Sequence, residues 1–141
     1  MNQTEKLGMN RDEDSTKEVI SKETYFFDTY ALFEIVRGNP KYKKYTECNI
    51  ITTIFNLAEF NYNLKKERSK KETDTLTEKY YPFIVEVNLK DLKNAMDLKI
   101  KDKDPSIPDV IGYIVAKRHN VKFLTGDKGF EKMENVEFVV K

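Results

Sequence analysis

The sequence predicts an α/β fold in which helices cover both faces of a mostly parallel sheet. Short apolar segments, rich in aromatic and β-branched residues as strands are, recur along the chain. Longer segments with helical periodicity separate them, and this alternation is typical of parallel sheets. The length of 141 residues suits one compact domain whose core needs no disulfide.

The first half of the chain contains two predicted strands and three predicted helices. TYFFDT reads as a buried strand, and YALFEIVRG reads as a helix that ends at Gly38, before Asn39 and Pro40. CNIITT is the second strand. IFNLAEFNYNLKKERSKK is predicted to form one helix with a basic end, and TDTLTEKYYPF another helix that stops at Pro82.

The second half continues the same alternation. IVEVNL alternates like a strand, and KDLKNAMDLKIKDKD has the spacing of an amphipathic helix. SIPDVIGYIVAKRHN is an apolar helix, VKFLTG a strand, DKGFEKM a helical turn and VEFVV a last strand. Residues 1–22 are polar and charged without strong periodicity, so we predict a mobile arm there and the folded domain over 23–141.

The composition indicates the cellular compartment of the protein but says little about its function. The net charge is +1, which by itself indicates no nucleic-acid partner. Cys48 is the only cysteine, so a reducing compartment is expected. The chain has neither the apolar run that a membrane span needs nor a secretory signal, and we therefore expect a cytoplasmic protein.

Four carboxylates stand in unusually apolar surroundings for a chain with 35% charged residues. Asp28 and Asp127 follow predicted strands. Glu59 is the only charged residue between Cys48 and Leu64, and Asp109 is likewise alone in the apolar helix after Pro105. Because ligands bind beyond the carboxyl ends of parallel strands, Asp28 and Asp127 are expected at one edge of the sheet.

Each acid also has a structural explanation. Asp28 and Asp127 are good N-cap residues for the helical segments that follow them. Asp109 stands three residues after Ser106, an arrangement close to a capping box. Glu59 could lie on a solvated stripe, although no Lys or Arg lies within four residues of it.

A divalent cation would relieve the repulsion among four clustered carboxylates. An oxygen-only ligand set suits Mg²⁺ or Mn²⁺. Zinc is disfavoured because Cys48 and His119 are the only thiol and the only imidazole. The same shortage argues against a Ser-His-Asp or Cys-His site, and no glycine-rich phosphate loop is present.

FFDTYAL, ITTIFNLAEF and SIPDVIGYIVAKRHNVKFLTGDKGF together resemble the PIN-domain nucleases, including the VapC-type toxins, from about Tyr25 to Val140. The resemblance implies a three-layer α/β/α sandwich and a metal-dependent ribonuclease. It implies that the family's acidic residues are Asp28, Glu59, Asp109 and Asp127, with Asp28 and Asp109 as direct ligands of Mg²⁺ or Mn²⁺. The small polar residues that support these acids in the family match Thr29, Asn56, Ser106 and Thr125.

The expected partners are an RNA substrate and, for a toxin, an antitoxin protein. The basic segment KKERSKK, with help from Arg37 and Lys128, is either a solvated helix end or a phosphate-contacting patch. A homodimer face is predicted from an apparent surplus of apolar residues in the first two long helices, namely Leu32, Phe33, Ile35, Leu57 and Phe60.

Two other classes of function stay open. A PIN-like module could bind RNA or a protein without cutting, although the intact acids argue against it. A receiver-like phosphoacceptor domain also gathers acids at strand ends, but it needs an acid pair near its first strand. The segment before Asp28 ends in TYFF and has no such pair.

Overall fold

Four parallel strands form the sheet of the computed structural model, which describes residues 22–140. The strands are β1 (Thr24–Phe27), β2 (Asn49–Ile51), β3 (Lys122–Thr125) and β4 (Val136–Phe138). Their order across the sheet is β2-β1-β3-β4. The predicted arm over residues 1–22 falls almost entirely outside the described residues.

Strand β1 occupies an inner position in the sheet. Its Phe26 pairs with Ile51 of β2 on one side and with Phe123 of β3 on the other. The backbone N–H of Asp28 still donates to the carbonyl of Leu124, at 3.3 Å. The first predicted acid therefore leaves the sheet at its carboxyl edge, between two neighbouring strands.

Within the described part of the chain, five α-helices connect or follow the strands. They are α1 (Thr29–Arg37), α2 (Ile54–Leu64), α3 (Lys70–Tyr80), α4 (Leu89–Lys101) and α5 (Ile107–Arg118). Each begins after a residue whose side chain accepts a backbone N–H, as helix N-termini require. These N-caps are Asp28, Thr53, Ser69, Asn88 and Ser106. Three 3₁₀ helices complete the list, Pro40–Glu47, Tyr81–Phe83 and Lys128–Phe130.

The core lies on both faces of the sheet. Consecutive strand residues point to opposite faces, so Phe26 and Phe27 enter different clusters. Phe27 packs with residues of α1, α2 and α3, whereas Phe26 packs with residues of α4 and α5. The sequence-based prediction of a parallel sheet between two helical layers is confirmed.

The single long helix predicted over 54–71 is wrong. Helix α2 ends at Leu64, and α3 starts after Ser69, whose hydroxyl accepts the N–H of Glu72 at 3.1 Å. The chain turns between these residues, and the Lys65 ammonium reaches back to Asp74 at 3.2 Å. The N-cap at Ser69 gives the second helix its own start, which periodicity alone does not reveal.

The strand predicted at IVEVNL is reduced to one bridge between Thr52 and Ile84. The backbone of Thr52 exchanges hydrogen bonds with Phe83 and Val85, at 3.1 and 2.9 Å. Pairing stops there because β2 ends at Ile51 and the next residues form the start of α2. The alternation of apolar residues arises because Ile84 and Val85 pack in different clusters.

The apolar residues predicted to form a homodimer face belong mostly to the core instead. Leu32 and Phe60 are 0% exposed, and Leu57 and Phe33 are 3% and 8% exposed. They fill the layer between β1 and helices α1 to α3, so they are not available to a second copy. Over residues 22–140, no helix is both long enough and apolar enough to cross a bilayer.

Candidate active site

Asp28 combines a structural contact with an unsatisfied oxygen. Its Oδ1 accepts the backbone N–H of Ala31 at 2.8 Å, which makes it the N-cap of α1. Its Oδ2 is buried and has no hydrogen-bond partner among residues 22–140. Burial, together with the negative charge of Asp109, raises the pKa of Asp28 well above its ordinary value. The Thr125 hydroxyl is close enough to lower the pKa of Asp28, as the Ala31 N–H does, but no group of residues 22–140 is in hydrogen-bonding geometry with Oδ2. The N-cap contact therefore accounts for one carboxylate oxygen only.

Glu59 of α2 is tied to the start of α1. The hydroxyl of Thr29 lies 2.7 Å from Glu59 Oε1 and donates to it. The Asn56 amide donates to the same hydroxyl at 3.4 Å, and Asn56 Oδ1 accepts from Thr53 at 2.7 Å. This chain of hydrogen bonds fixes the Glu59 carboxylate, so Glu59 does not lie on a freely solvated stripe.

Asp109 is the N3 residue of a capping box at the start of α5. Its N–H donates to the Ser106 hydroxyl, and its Oδ2 accepts the Ser106 N–H, both at 3.2 Å. Burial, followed by the charge of Glu59, raises the pKa of Asp109 to about 6. The negative charge of Asp127 acts in the same direction. A capping role is therefore real, but it does not explain why other acids face this one.

Two glycines allow this end of the molecule to close. A Cβ at Gly112 of α5 would lie 2.7 Å from the Phe26 ring and 3.0 Å from Asn56 Oδ1. A Cβ at Gly126 would lie 2.2 Å from the Tyr30 ring. The absence of a side chain at Gly112 brings α5, and so Asp109, against β1 and α2.

Asp127 follows β3 and is held by two short-range contacts. Its N–H donates to the Thr125 hydroxyl at 3.0 Å, and its Oδ1 accepts the N–H of Gly129 at 2.9 Å. The predicted helical turn is present as the 3₁₀ helix Lys128–Phe130, which Asp127 caps. Its charge nevertheless adds to the upward shift of the pKa at Asp28 and at Asp109.

All four acids line one open cleft of about 440 Å³ at the carboxyl edge of the sheet, named here the acidic cleft. Its other lining residues are Thr29, Tyr30, Phe33, Asn63, Gly126 and Lys128. The structure thus brings together the four acids that the sequence singled out. Of the four predicted supporting residues, Thr29 and Asn56 position Glu59, Ser106 positions Asp109, and Thr125 positions Asp127.

The cleft fits a hard divalent cation in the chemistry of its donors. It offers carboxylate oxygens, and Asp28 Oδ2 is a buried oxygen that lacks a partner in the described chain. Over residues 22–140, no three Asp, Glu, His or Cys side chains are already grouped closely enough to hold a metal ion. In Asp28, Asp109 and Asp127, one carboxylate oxygen accepts a backbone N–H and so caps a helical segment. These hydrogen bonds hold each carboxylate in place.

Asn63 is a cleft residue that the sequence did not indicate as part of the site. It lies four residues after Glu59 on α2, and this spacing puts both side chains on one face of the helix. That spacing was the available signal. Tyr30 and Phe33 also line the cleft, although their sequence context is that of ordinary core residues.

Of the basic residues considered as phosphate contacts, only one lies in the acidic cleft. Lys128 lines the acidic cleft, whereas Arg37 pairs with Glu67 at 2.6 Å and is not among the lining residues. In the basic segment 65–71, three cations pair with acids of α3, which is the behaviour of a solvated helix end. These pairs are Lys65–Asp74, Arg68–Glu72 and Lys70–Asp74.

Comparisons with known proteins bear on the family and the fold of the chain. The family model described as the PIN domain matches residues 25–136. A toxin-antitoxin complex from Klebsiella pneumoniae contains a similar chain, with 20% identity and a TM-score of 0.64 over 80% of this chain and 95% of that one. A comparison with curated proteins gives no significant match.

Two further solved structures show the same fold at lower identity. VapBC2 from Rickettsia felis, bound to a DNA fragment from its promoter, is 16% identical, with a TM-score of 0.62 over 83% of this chain and 98% of that one. PAE2754 from Pyrobaculum aerophilum is 16% identical, with a TM-score of 0.63 over 85% and 92%. At these identities the similarity establishes the fold.

Proposed function

This chain belongs to the PIN domain family, and on that premise we propose that it is a metal-dependent ribonuclease that hydrolyses RNA phosphodiester bonds in the acidic cleft. The observation that carries the proposal is Asp28 Oδ2, a buried carboxylate oxygen without a partner in residues 22–140, on a side chain that feels the negative charges of Asp109 and Asp127. A carboxylate in such a place costs folding free energy, and a bound divalent cation would offset that cost.

We assign Mg²⁺ or Mn²⁺ to the cleft. Asp28 and Asp109 would hold the ion directly, and Glu59 and Asp127 would hold it directly or through water. When bound, such a cation makes water more acidic and offsets the negative charge that builds up at phosphorus.

The chain's own residues then have three tasks. Thr29 keeps the Glu59 carboxylate in place, and the Ser106 capping box does the same for Asp109. Hydrolysis also needs a group that accepts a proton from the attacking water, and a carboxylate whose raised pKa lies closer to neutrality is suited to this. Asp109 is not assigned this task, because as a direct ligand its carboxylate would be held ionised by the cation.

The proposed biological setting is a cytoplasmic toxin with an antitoxin as its protein partner. Two of the similar solved structures, at 20% and 16% identity, are described as a toxin-antitoxin complex and as VapBC2. A housekeeping RNA-processing enzyme is the alternative within the same chemistry. A homodimer, also part of the proposal, would have to use apolar side chains that are exposed, such as Ile54, Phe55 and Tyr62 of α2.

The deciding experiment is cleavage of a mixed-sequence single-stranded RNA in Mn²⁺, in Mg²⁺ and in EDTA. We expect cleavage with either ion and none in EDTA, and we expect Asp28→Asn to be inactive although Asn preserves the N-cap. RNA binding without cleavage in every condition would instead support a non-catalytic PIN-like module. Full activity of Asp28→Asn would contradict the proposed site.

A further inference from the structure

Lys128 is the one cation among the described residues that line the acidic cleft. It is exposed, and it forms no ion pair with any acid of residues 22–140, although Asp127 is its neighbour in sequence. Its backbone is fixed as the first residue of the 3₁₀ helix after β3. The cleft therefore holds an ammonium group on a fixed backbone that is not used to neutralise the acids.

Two other cations that lie near acids differ from Lys128 in this respect. Arg37 is bound to Glu67 at 2.6 Å, and Arg118 is bound to Asp91 at 2.8 Å. In those places the fold uses the cation for its own charge pairing. At Lys128 the long flexible side chain is free to follow an anionic ligand that enters the cleft.

Asn63 lies on a different wall of the same cleft. Lys128 follows β3, and Asn63 is on the helix that follows β2, and these two strands flank β1 and Asp28. The Asn63 side-chain amide makes no hydrogen bond inside the described chain, whereas the nearby Asn61 amide is held by Asp74 and Thr77 at 3.1 and 2.8 Å. Asn63 thus presents two unused N–H donors one helical turn from Glu59.

The aromatic side chains of the cleft are already packed. Phe33 is 8% exposed, lies 5.4 Å from the Phe60 ring and carries the Arg37 guanidinium 4.7 Å above it. Tyr30 packs over Gly126, where a Cβ would lie 2.2 Å from its ring. Stacking of an RNA base needs an open ring face, and Phe33 does not provide one.

We propose that Lys128 and Asn63 hold the sugar-phosphate backbone of single-stranded RNA across the acidic cleft, with the Lys128 ammonium on a phosphate and the Asn63 amide on a backbone oxygen. This assignment rests on the proposed ribonuclease function. The cleft itself then recognises the backbone rather than the bases, because its free donors are a point charge and an amide and its aromatic rings serve the core. Such contacts position a strand for cleavage without selecting its sequence.

The test measures binding of a fluorescent single-stranded RNA of about 12 nucleotides to inactive Asp28→Asn protein in Mg²⁺, at several salt concentrations. In that background, Lys128→Met should reduce the slope of log K against log salt by about 0.7, the value for one phosphate contact on a single strand. Asn63→Ala removes a hydrogen-bond donor but no charge. It should weaken binding roughly three- to tenfold and leave the slope unchanged.

Two variants serve as matched controls. Lys122→Met removes an exposed lysine at the opposite end of β3, and Asn94→Ala removes an exposed amide on α4. Both should leave the affinity and the slope unchanged. A Lys128→Met slope equal to that of Lys122→Met, or an Asn63→Ala affinity equal to that of Asn94→Ala, would overturn the proposal.

Cleavage by the otherwise unchanged protein separates this inference from the proposed function. Lys128→Met should raise KM and change kcat much less, since we place its contact on a phosphate other than the one that is hydrolysed, where it contributes equally to ground state and transition state. A loss confined to kcat would overturn the backbone-holding role. If the parent protein cleaves no RNA but the binding results hold, the nuclease proposal fails and the contacts stand.

Discussion

Helices α4 and α5 begin with the same local motif, a capping box that ends in an aspartate. In α4, Asp91 donates its N–H to Asn88 Oδ1 at 2.7 Å and accepts the Asn88 N–H at 3.1 Å. In α5, Asp109 makes the equivalent pair of bonds with Ser106, both at 3.2 Å. Judged by local hydrogen bonding, the two aspartates have the same function.

Their electrostatic surroundings are opposite. Burial raises the pKa of Asp91, but Arg118 donates to both of its oxygens, at 2.9 and 3.0 Å, and the net result is a pKa below the ordinary value. At Asp109 burial is joined by the negative charge of Glu59, and the pKa rises to about 6. The fold supplies a cation to one aspartate and further acids to the other.

The difference teaches where to look for function in a capped helix. A capping contact stabilises a helix whether or not its carboxylate is neutralised, so it cannot distinguish a structural acid from a functional one. The second oxygen and its charge partner make the distinction. Asp91 has a structural partner for its charge, whereas Asp109 faces the open acidic cleft, where we propose that a divalent cation binds.

The largest expected effect is on catalysis. Asp109→Asn keeps an oxygen for the capping box but removes the charge, and it should lower RNA cleavage about a hundredfold or more. Asp91→Asn, the same change in the same motif, should leave turnover per folded molecule unchanged. Both are measured as Mn²⁺-dependent cleavage, normalised to folded protein. Equal activities of the two variants would break the comparison.

The second effect is on stability without metal. Removing the charge of Asp109 should raise the free energy of unfolding by about 1–3 kcal/mol at neutral pH, because a pKa shift of one unit corresponds to about 1.4 kcal/mol and solvent screens part of it. Asp91→Asn should lower it by about 1–3 kcal/mol, since Arg118 loses its charged acceptor. Urea denaturation in EDTA measures both. Changes of the same sign would show that the two sites are energetically alike.

The third effect is the pH dependence of that stability. The folded pKa of Asp109, about 6, exceeds the usual value of 3.8 for an aspartate, so the folded state binds the proton more tightly. Its stabilising contribution is present below the unfolded pKa and is lost as pH rises through the folded pKa. The stability difference between the parent and Asp109→Asn should therefore change by about 2 kcal/mol between about pH 4 and pH 7.

Asp91 should show the opposite pH behaviour. Its folded pKa is lowered, so its contribution is present above the unfolded pKa and is lost as pH falls through the folded pKa. Denaturation curves of Asp91→Asn against the parent, at the same series of pH values in EDTA, sharpen the contrast. A pH-independent difference for Asp109→Asn would mean that the pKa of Asp109 is the same in the folded and the unfolded protein.

The smallest expected effect is stabilisation by the cation. Mn²⁺ at ten times its dissociation constant should raise the free energy of unfolding of the parent by about 1.4 kcal/mol, which shifts the melting temperature by a few degrees. Asp91→Asn should show the same shift and Asp28→Asn almost none. A shift that Asp28→Asn retains in full would place the cation elsewhere.

Most of the fold was predictable because its signals are local. The periodicity of apolar residues predicted helices on both faces of the sheet. Gly38 ends α1 in the left-handed conformation, with φ of 77°, which glycine adopts most readily. The helix over 54–71 was predicted wrongly because the Ser69 cap looks like one more polar residue in a basic run. The single bridge at Ile84 was read as a strand because opposite packing of Ile84 and Val85 imitates strand alternation.

The members of the candidate site were also predictable, but their contacts were not. The sequence placed Asp28 and Asp127 at strand ends and marked Glu59 and Asp109 as lone acids in apolar helices. The spacing of four residues from Glu59 indicated that Asn63 shares a helix face with that acid, but nothing local indicated that its amide would lack a partner. The apolar surplus of α1 and α2 was assigned to a dimer face, although most of these residues are buried in the core. The sequence does not show this, because burial depends on the layers that cover a residue.

The sequence by itself determined the alternation of most strands and helices, the caps at Asp28, Ser106 and Asp127, and the positions of the four acids along the chain. Only the tertiary structure decided which acid is paired with a basic side chain. Arg118 reaches Asp91 across 27 residues, and Thr29 reaches Glu59 across 30. Capping and periodicity depend on residues within a turn or two, whereas desolvation and charge pairing depend on residues that meet only when the sheet and its two helical layers assemble.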